Sequence, residues 1–585
     1  MDFSEINSHG KSLGEMIRDL EMDGKLGHFK NCNLFQIEED SECNKYFTTR
    51  DFWVEAGVNP IPIFKRYLGD SEQKMDDNPS AVAFVKSVLD NLTKELMAQI
   101  HTTNTDLMLR KLFVLYEDTY AFYCKDRKTR TELSNISSDF SGSTLESNRN
   151  ITLTLLDGLS IMIENCVVFQ HDGKNEQEES IDIESSDDLF DCDLFVKTYL
   201  YALLSKYRTF FNLNINPKNY AYCSGIVINP NNMIPVEGNE LHPQIYTSVM
   251  IMGNQDALAP KDEKAYFAQI NTTPIGQGFQ TMYGIGFLEV LASFTLLNTS
   301  FDPGKVVVLP VDELKKYIKD HTCGINPDNF IEHFTITKVK LQQYISGSAP
   351  YIYKVGSNQH RLDIRPIVLL DNGMVYISPS AVDKAKELWL SFAVNGGRPY
   401  IDVGTGRGDA VIDGFGKREN QLGNELVDLL YEKLIQHYPN AKYKDKDVDY
   451  DRIFGKKHDN YGDYDVVYYV GDELFLIESK YFSDSLTANL TVGDYNKIFE
   501  SGGYYEHCRK RYDLVEAEPE KMRAFINAVG AVKAHYLFVS SKPFEIEFQD
   551  KDRIVTFLSV ANFDKYIEGK LISDNDEVLR PTHCI

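Results

Sequence analysis

The stretch 461-YGDYDVVYYVGDELFLIESKY-481 carries the residues best suited to chemistry in this chain. Tyr464–Val470 is a β-branched and aromatic run, Gly471-Asp472 is a turn signal, and Leu474–Ile477 is a second apolar run. That spacing predicts a β-hairpin. Side chains alternate along a strand, so Asp465 shares a face with Val467 and Tyr469, and Glu478 shares one with Lys480. Pairing the two strands brings Asp465, near the start of the first, beside Glu478 and Lys480, near the end of the second.

Two carboxylates converging at a sheet end, with a lysine two residues on, suit a hard divalent cation. Mg²⁺, with Mn²⁺ as its substitute, takes one or two carboxylates and keeps waters for a substrate phosphate. Such a metal activates water and stabilises the charge that develops on phosphorus. The lysine orients or polarises that water and stabilises an anionic transition state.

The surrounding sequence predicts the elements that position these groups. A Gly-rich stretch, 404-GTGRGDAVIDGFG-416, leads into a helix expected at about Glu419–His437. A charged loop follows, then the hairpin. Helical segments over Asp494–Leu514 are broken at Gly502-Gly503, with strands expected at His535–Ser540 and Ile554–Leu558 and a closing helix at Asn562–Gly569. The order is helix, β-hairpin, helix, β, β, helix, a normal domain size at residues 405–585. Glu425 lies three residues after Leu422 and four before Leu429, on the edge of the apolar stripe, and is expected to face inward.

This arrangement resembles the PD-(D/E)XK nuclease superfamily, whose signature is Asp, a spacer, then Glu-x-Lys. Here it reads Asp465, twelve intervening residues, then Glu478-Ser479-Lys480, with Tyr464 in place of the proline. The resemblance covers roughly residues 405–570. It implies a restriction-endonuclease-like α/β core and a Mg²⁺-dependent endonuclease. Asp465 and Glu478 would then bind metal, the Ser479 carbonyl would be a further ligand, Lys480 would position the water, and Glu425 would support the site. Asp/Glu-x-Lys also begins at Asp23, Glu72, Asp126, Asp172, Asp262, Glu313 and Glu568. Only Glu478 ends an apolar strand that follows another strand with an inward acid.

The rest of the chain sets the context. Its 585 residues carry a formal charge of -26, which argues against a polyanion binder working through a global positive field. Residues 401–585 hold 24 Lys+Arg against 34 Asp+Glu, so DNA binding needs local patches. Arg509, Lys510 and Arg511 form one candidate; Lys442, Lys444, Lys446, Arg452, Lys456 and Lys457 form another. The nine Cys include no C-x-x-C pair, which fits thiols in a reducing cytoplasm better than a disulfide framework.

Overall the sequence predicts a multidomain α+β chain. Residues 1–135 read as mostly helical, 150–395 as a mixed α/β region, and 405–585 as the nuclease-type unit. Residues 127–150 look like a linker, Ile151–Phe169 like a hairpin turning at Asp157-Gly158, and 172–193 like an acidic loop. The apolar stretch 281–299 is expected to be a buried helix, so no membrane partner is expected. DNA is the expected substrate, with residues 1–400 receiving a protein partner or activating signal. That architecture is similar to restriction or anti-phage defence effectors, by analogy alone.

Overall fold

A computed structural model describes residues 52–134, 143–170, 189–211, 226–238, 263–302, 304–322, 325–342, 361–397, 409–455, 462–483, 488–542, 544, 554–571 and 578–585. Most of the acidic loop falls outside these residues.

The first part of the chain is helical, as its apolar periodicity predicts. Helix α1 (Asn78–Thr102) starts where the Asp77 side chain accepts from the Ser80 amide, and α2 spans Thr105–Ser134. The predicted hairpin at Ile151–Phe169 is instead part of a third helix, α3 (Ser143–Val168), packed against α2 and α4 (Cys192–Phe211). A segment buried on all sides has no polar stripe to reveal its period, so helix and strand read alike. Gly158 is no turn: a Cβ there would lie 2.7 Å from the Thr198 carbonyl oxygen of α4. The helices approach too closely for any side chain at that point. The linker expected at 127–150 shrinks accordingly, since α2 and α3 take most of it.

Three short strands, β1 (Gln73–Met75), β2 (Ile226–Ile228) and β3 (Val236–Gly238), pair in that order beside the helical part. The middle region holds a second sheet, of β4 (Val307–Pro310), β5 (Thr335–Ile336), β6 (Ile367–Leu369) and β7 (Met374–Ile377), in the order β4-β7-β6-β5. The stretch expected to be one buried helix at 281–299 is two, α5 (Pro274–Tyr283) and α6 (Phe287–Ser300), bent by 74°. Gly284 turns the chain between them at φ 64°. Helix α7 (Pro379–Asn395) packs against α6. Among the described residues one helix segment, Asn148–Val168, is long and apolar enough to cross a membrane, and most of it is buried inside the fold.

Helix α8 (Ala410–His437) begins well before the expected Glu419, because Gly414 and Gly416 are helical rather than loop residues. A Cβ at Gly414 would lie 2.6 Å from the Pro274 carbonyl oxygen, and one at Gly278 would lie 2.4 Å from that of Ala410. Glycines on both helices therefore let α5 and α8 meet backbone to backbone. The start of α8 buries Val411 and Phe415 in the middle region's core; its later turns bury Leu426, Leu430 and Leu434 under the third sheet. One helix thus belongs to two cores.

The third sheet contains β8 (Tyr443–Asp449), β9 (Asp463–Val470), β10 (Glu473–Lys480), β11 (Lys533–Ser540) and β12 (Thr556–Ser559), in the order β12-β11-β10-β9-β8. The β8-β9-β10 meander is antiparallel, and β10, β11 and β12 run parallel. Helices α9 (Ala488–Phe499) and α10 (Tyr504–Ala517), followed by a short helix at Pro519–Phe525, connect β10 to β11. Helix α11 (Val560–Ile567) follows β12, and β13 (His583–Cys584) pairs with the start of β11. Strand β8 occupies what the sequence reads as a charged loop. Its Lys and Asp residues are those of an exposed edge strand, where charge discourages pairing with other chains.

The two faces of this sheet are covered by different helices. Val466, Tyr468, Phe475 and Ile477 pack with α8 and α11. Val467, Tyr469, Leu474 and Leu476 pack with α9 and α10.

Candidate active site

Asp465 lies where β9 parts from its neighbours. Pairing of β9 with β10 runs from Val470–Glu473 to Val466–Ile477 and stops there. On the other side the ladder with β8 skips Asp447, the residue opposite Asp465, whose backbone is left-handed at φ 52°. A left-handed Asp costs of order 1 kcal/mol and is worth noting next to a candidate site. With the β9–β10 ladder open, the Asp465 side chain takes over. Its Oδ2 accepts from the Ser479 amide at 2.5 Å and from Ser479 Oγ at 3.2 Å.

Glu478 and Lys480 alternate with Leu474 and Leu476 on the face covered by α9 and α10. Lys480 Nζ lies 2.6 Å from Glu478 Oε1 and 3.8 Å from Asp465 Oδ2. The three residues predicted to converge are thus brought together on one face. The Lys480 ammonium also stands over the Tyr504 ring, 5.5 Å from its centroid.

A fourth residue completes the cluster, and it is not Glu425. Arg511, from α10, pairs with Glu478 Oε2 and donates to the Asp463 carbonyl at 2.6 Å. Its side chain is 7% exposed, against 5% for Glu478, 15% for Asp465 and 27% for Lys480. Its place in the run Arg509-Lys510-Arg511 predicts a basic surface patch. Burial removes it from that role. Lys510 is exposed and pairs with Glu506 one turn back at 2.6 Å, while Arg509 is half-buried on the same helix. The sequence does carry a signal for Arg511. Tyr505, Cys508, Tyr512 and Val515 form the apolar stripe of α10, and Arg511 stands on it, three residues after Cys508.

Glu425 sits in the middle of α8, on the opposite side of the sheet. Its carboxylate pairs with Arg418 at 3.3 Å and accepts from Gln421 at 2.8 Å. It makes no hydrogen bond or ion pair with Asp465, Glu478 or Lys480. The helix starts fifteen residues earlier than Glu425, and the packing of Leu422 and Leu426 turns the glutamate to the rim.

The electrostatics follow from burial and proximity. Burial, reinforced by the charge of Glu478, pushes the Asp465 carboxyl up to about 6; Lys480 and the Ser479 amide only partly oppose this. Burial alone would lower the Lys480 ammonium, but Glu478 and Asp465 hold it above its ordinary value. Lys480 is therefore a cation at neutral pH and lies within hydrogen-bond reach of Glu478. The four side chains together carry no net charge.

A hard cation fits this donor set. Asp465 meets its protein partners through Oδ2, which leaves Oδ1 for a ligand, and Glu478 Oε1 is shared with the partly exposed Lys480. Two carboxylates are as many as Mg²⁺ commonly takes from a protein. Among the described residues no group of three or more His, Cys, Asp or Glu is arranged to hold a metal. No family model matches the sequence, no curated protein matches it, and no solved structure matches the chain.

Proposed function

We propose that the chain is a metal-dependent nuclease that hydrolyses phosphodiester bonds in DNA, with a restriction-endonuclease-like core in its C-terminal part. The observation that carries this reading is the convergence of Asp465, Glu478 and Lys480 at the open end of β9, on one face of the sheet. The element order around them supports it: a helix, an antiparallel meander, three helices, then a strand parallel to the meander's last.

Asp465 and Glu478 would hold Mg²⁺ or Mn²⁺, which when bound supplies an activated water and neutralises charge on the phosphate. Lys480, held charged by both acids, donates to the attacking water or to a phosphate oxygen and stabilises the negative charge that builds there. Arg511 fixes the Glu478 carboxylate from behind. The Ser479 amide fixes Asp465, so both acids are oriented before substrate arrives. On α10 we assign contact with a nucleic-acid backbone to Lys510, exposed and paired with Glu506, and to the half-buried Arg509. The acidic balance of the chain leaves affinity to such local contacts or to a partner acting through residues 1–400. A restriction or anti-phage defence setting is our analogy from this architecture.

A second reading has one observation in its favour. The pairing of Glu478 with Arg511 satisfies the acid without a metal, as a non-catalytic scaffold on the same core would require. Incubating the purified chain with supercoiled plasmid, single-stranded DNA and RNA, with Mg²⁺, Mn²⁺ or chelator, separates the readings. Metal-dependent DNA cleavage is expected. Cleavage of RNA alone redirects the substrate, and inertness towards all three with either metal favours the scaffold.

A further inference from the structure

Arg511 has a consequence for how many cations the site takes, an inference that rests on the metal-dependent reading above. The two oxygens of Glu478 are divided between two cations of different freedom. Lys480, on Oε1, is 27% exposed and has a flexible stem that leads out towards Tyr504, so it can yield that oxygen to a metal. Arg511, on Oε2, cannot yield. Its Nη1 is also tied to the Asp463 carbonyl at 2.6 Å, and its own backbone carbonyl accepts from the Tyr464 hydroxyl at 3.3 Å. Withdrawing the guanidinium would take its donor from the Asp463 carbonyl and from Glu478 Oε2, and a guanidinium does not shed its proton.

We infer that this site binds one divalent cation rather than two, because Arg511 permanently fills the side of Glu478 where a second would sit. A second ion placed against Oε2 would face a fixed positive charge in a buried setting, where like charges repel most strongly. It would also need further ligands, and among the described residues no group of three or more His, Cys, Asp or Glu is arranged to hold a metal. One divalent ion on the neutral set of four side chains leaves a net charge of two, matched to a phosphodiester and an attacking hydroxide. Arg511 is in this sense a positioning residue: it presents Glu478 with a single oxygen available to metal.

The test is a count. Mn²⁺ is titrated into the full-length chain by calorimetry and followed by electron paramagnetic resonance. The expected result is one Mn²⁺ per chain, lost in Asp465→Asn. Arg511→Lys, which keeps the charge, should also bind one. Arg511→Met, which removes it, should bind a second Mn²⁺ or bind the first at least tenfold more tightly. Two ions in the unaltered chain, both lost in Asp465→Asn, would overturn the inference and leave the metal-dependent reading standing. No ion at all would sink both. A count and affinity in folded Arg511→Met equal to those of the unaltered chain would show that arginine does not set the limit. Should Arg511→Met fail to fold, the unaltered chain and Arg511→Lys decide the matter.

Discussion

Asp465 is held in a state that costs the folded chain something. Its carboxyl is pushed up to about 6 by burial and by Glu478, whereas an unfolded aspartate titrates near 4. Between those values the folded chain binds a proton that the unfolded chain releases. Its stability therefore falls as pH rises from about 4 to 6, then levels off. Asp465→Asn keeps an acceptor for the Ser479 amide and removes the buried charge. The metal-free variant should be more stable than the parent above pH 6, by about 1–3 kcal/mol, with the difference vanishing near pH 4. Urea unfolding at pH 4, 6 and 8 checks this; an Asn variant less stable at pH 8 would contradict the electrostatics described for the site. The residue scale is also where the sequence is most legible. Strand alternation alone places Asp465, Glu478 and Lys480 together. It cannot place Arg511 or Glu425, because each comes from a helix whose rotation depends on which face of the sheet it covers.

The helices that cover the site are anchored by an ion pair that the sequence gives no means of finding. Lys542, just past β11 and fully buried, lies 2.8 Å from Asp494 of α9 and 2.9 Å from the Ser483 carbonyl. Burial would raise the Asp494 carboxyl, but Lys542 and Lys497 together hold it below its ordinary value. Removing Asp494 takes the carboxylate from a buried ammonium that keeps its bond to the Ser483 carbonyl. Asp494→Ala should cost about 3–5 kcal/mol, measured by chemical denaturation, while Asp494→Asn should cost less. A loss under about 1 kcal/mol in the alanine variant would mean the pair does not hold α9. Strand β8 is hard to read in the sequence for a related reason. Its alternation of Lys and Asp reads as loop when local composition is the guide, and only its place at the sheet edge makes it a strand.

At the scale of the molecule, the C-terminal unit is less separate than its sequence suggests. The Gly-rich stretch that reads as a flexible boundary is in part the first turns of α8, and its glycines allow α5 to lie against it. Helix α9, beside the site, also packs against α4 of the helical part. A change in residues 1–400 thus has two packed routes to the site, through α8 and α9. Gly414→Ala would press a methyl group into the Pro274 carbonyl and should cost about 1–3 kcal/mol of stability. A chain starting at residue 405 exposes Val411 and Phe415 and should aggregate unless both are made polar; a well-behaved, cooperatively melting 405–585 fragment would show that the contact with α5 contributes little. The helical texture of the first part and the order of the last were legible from periodicity, whereas the joints between them depend on backbone contacts at glycines that no periodicity encodes. The central claim, that Asp465, Glu478 and Lys480 form a metal-dependent hydrolytic site, is tested most directly by nicking of supercoiled plasmid. The purified chain should convert the plasmid with Mg²⁺ and not with chelator. Asp465→Asn and Lys480→Met should each lower the rate by about 10²-fold or more while leaving the chain folded. Undiminished nicking by folded Asp465→Asn would contradict the account.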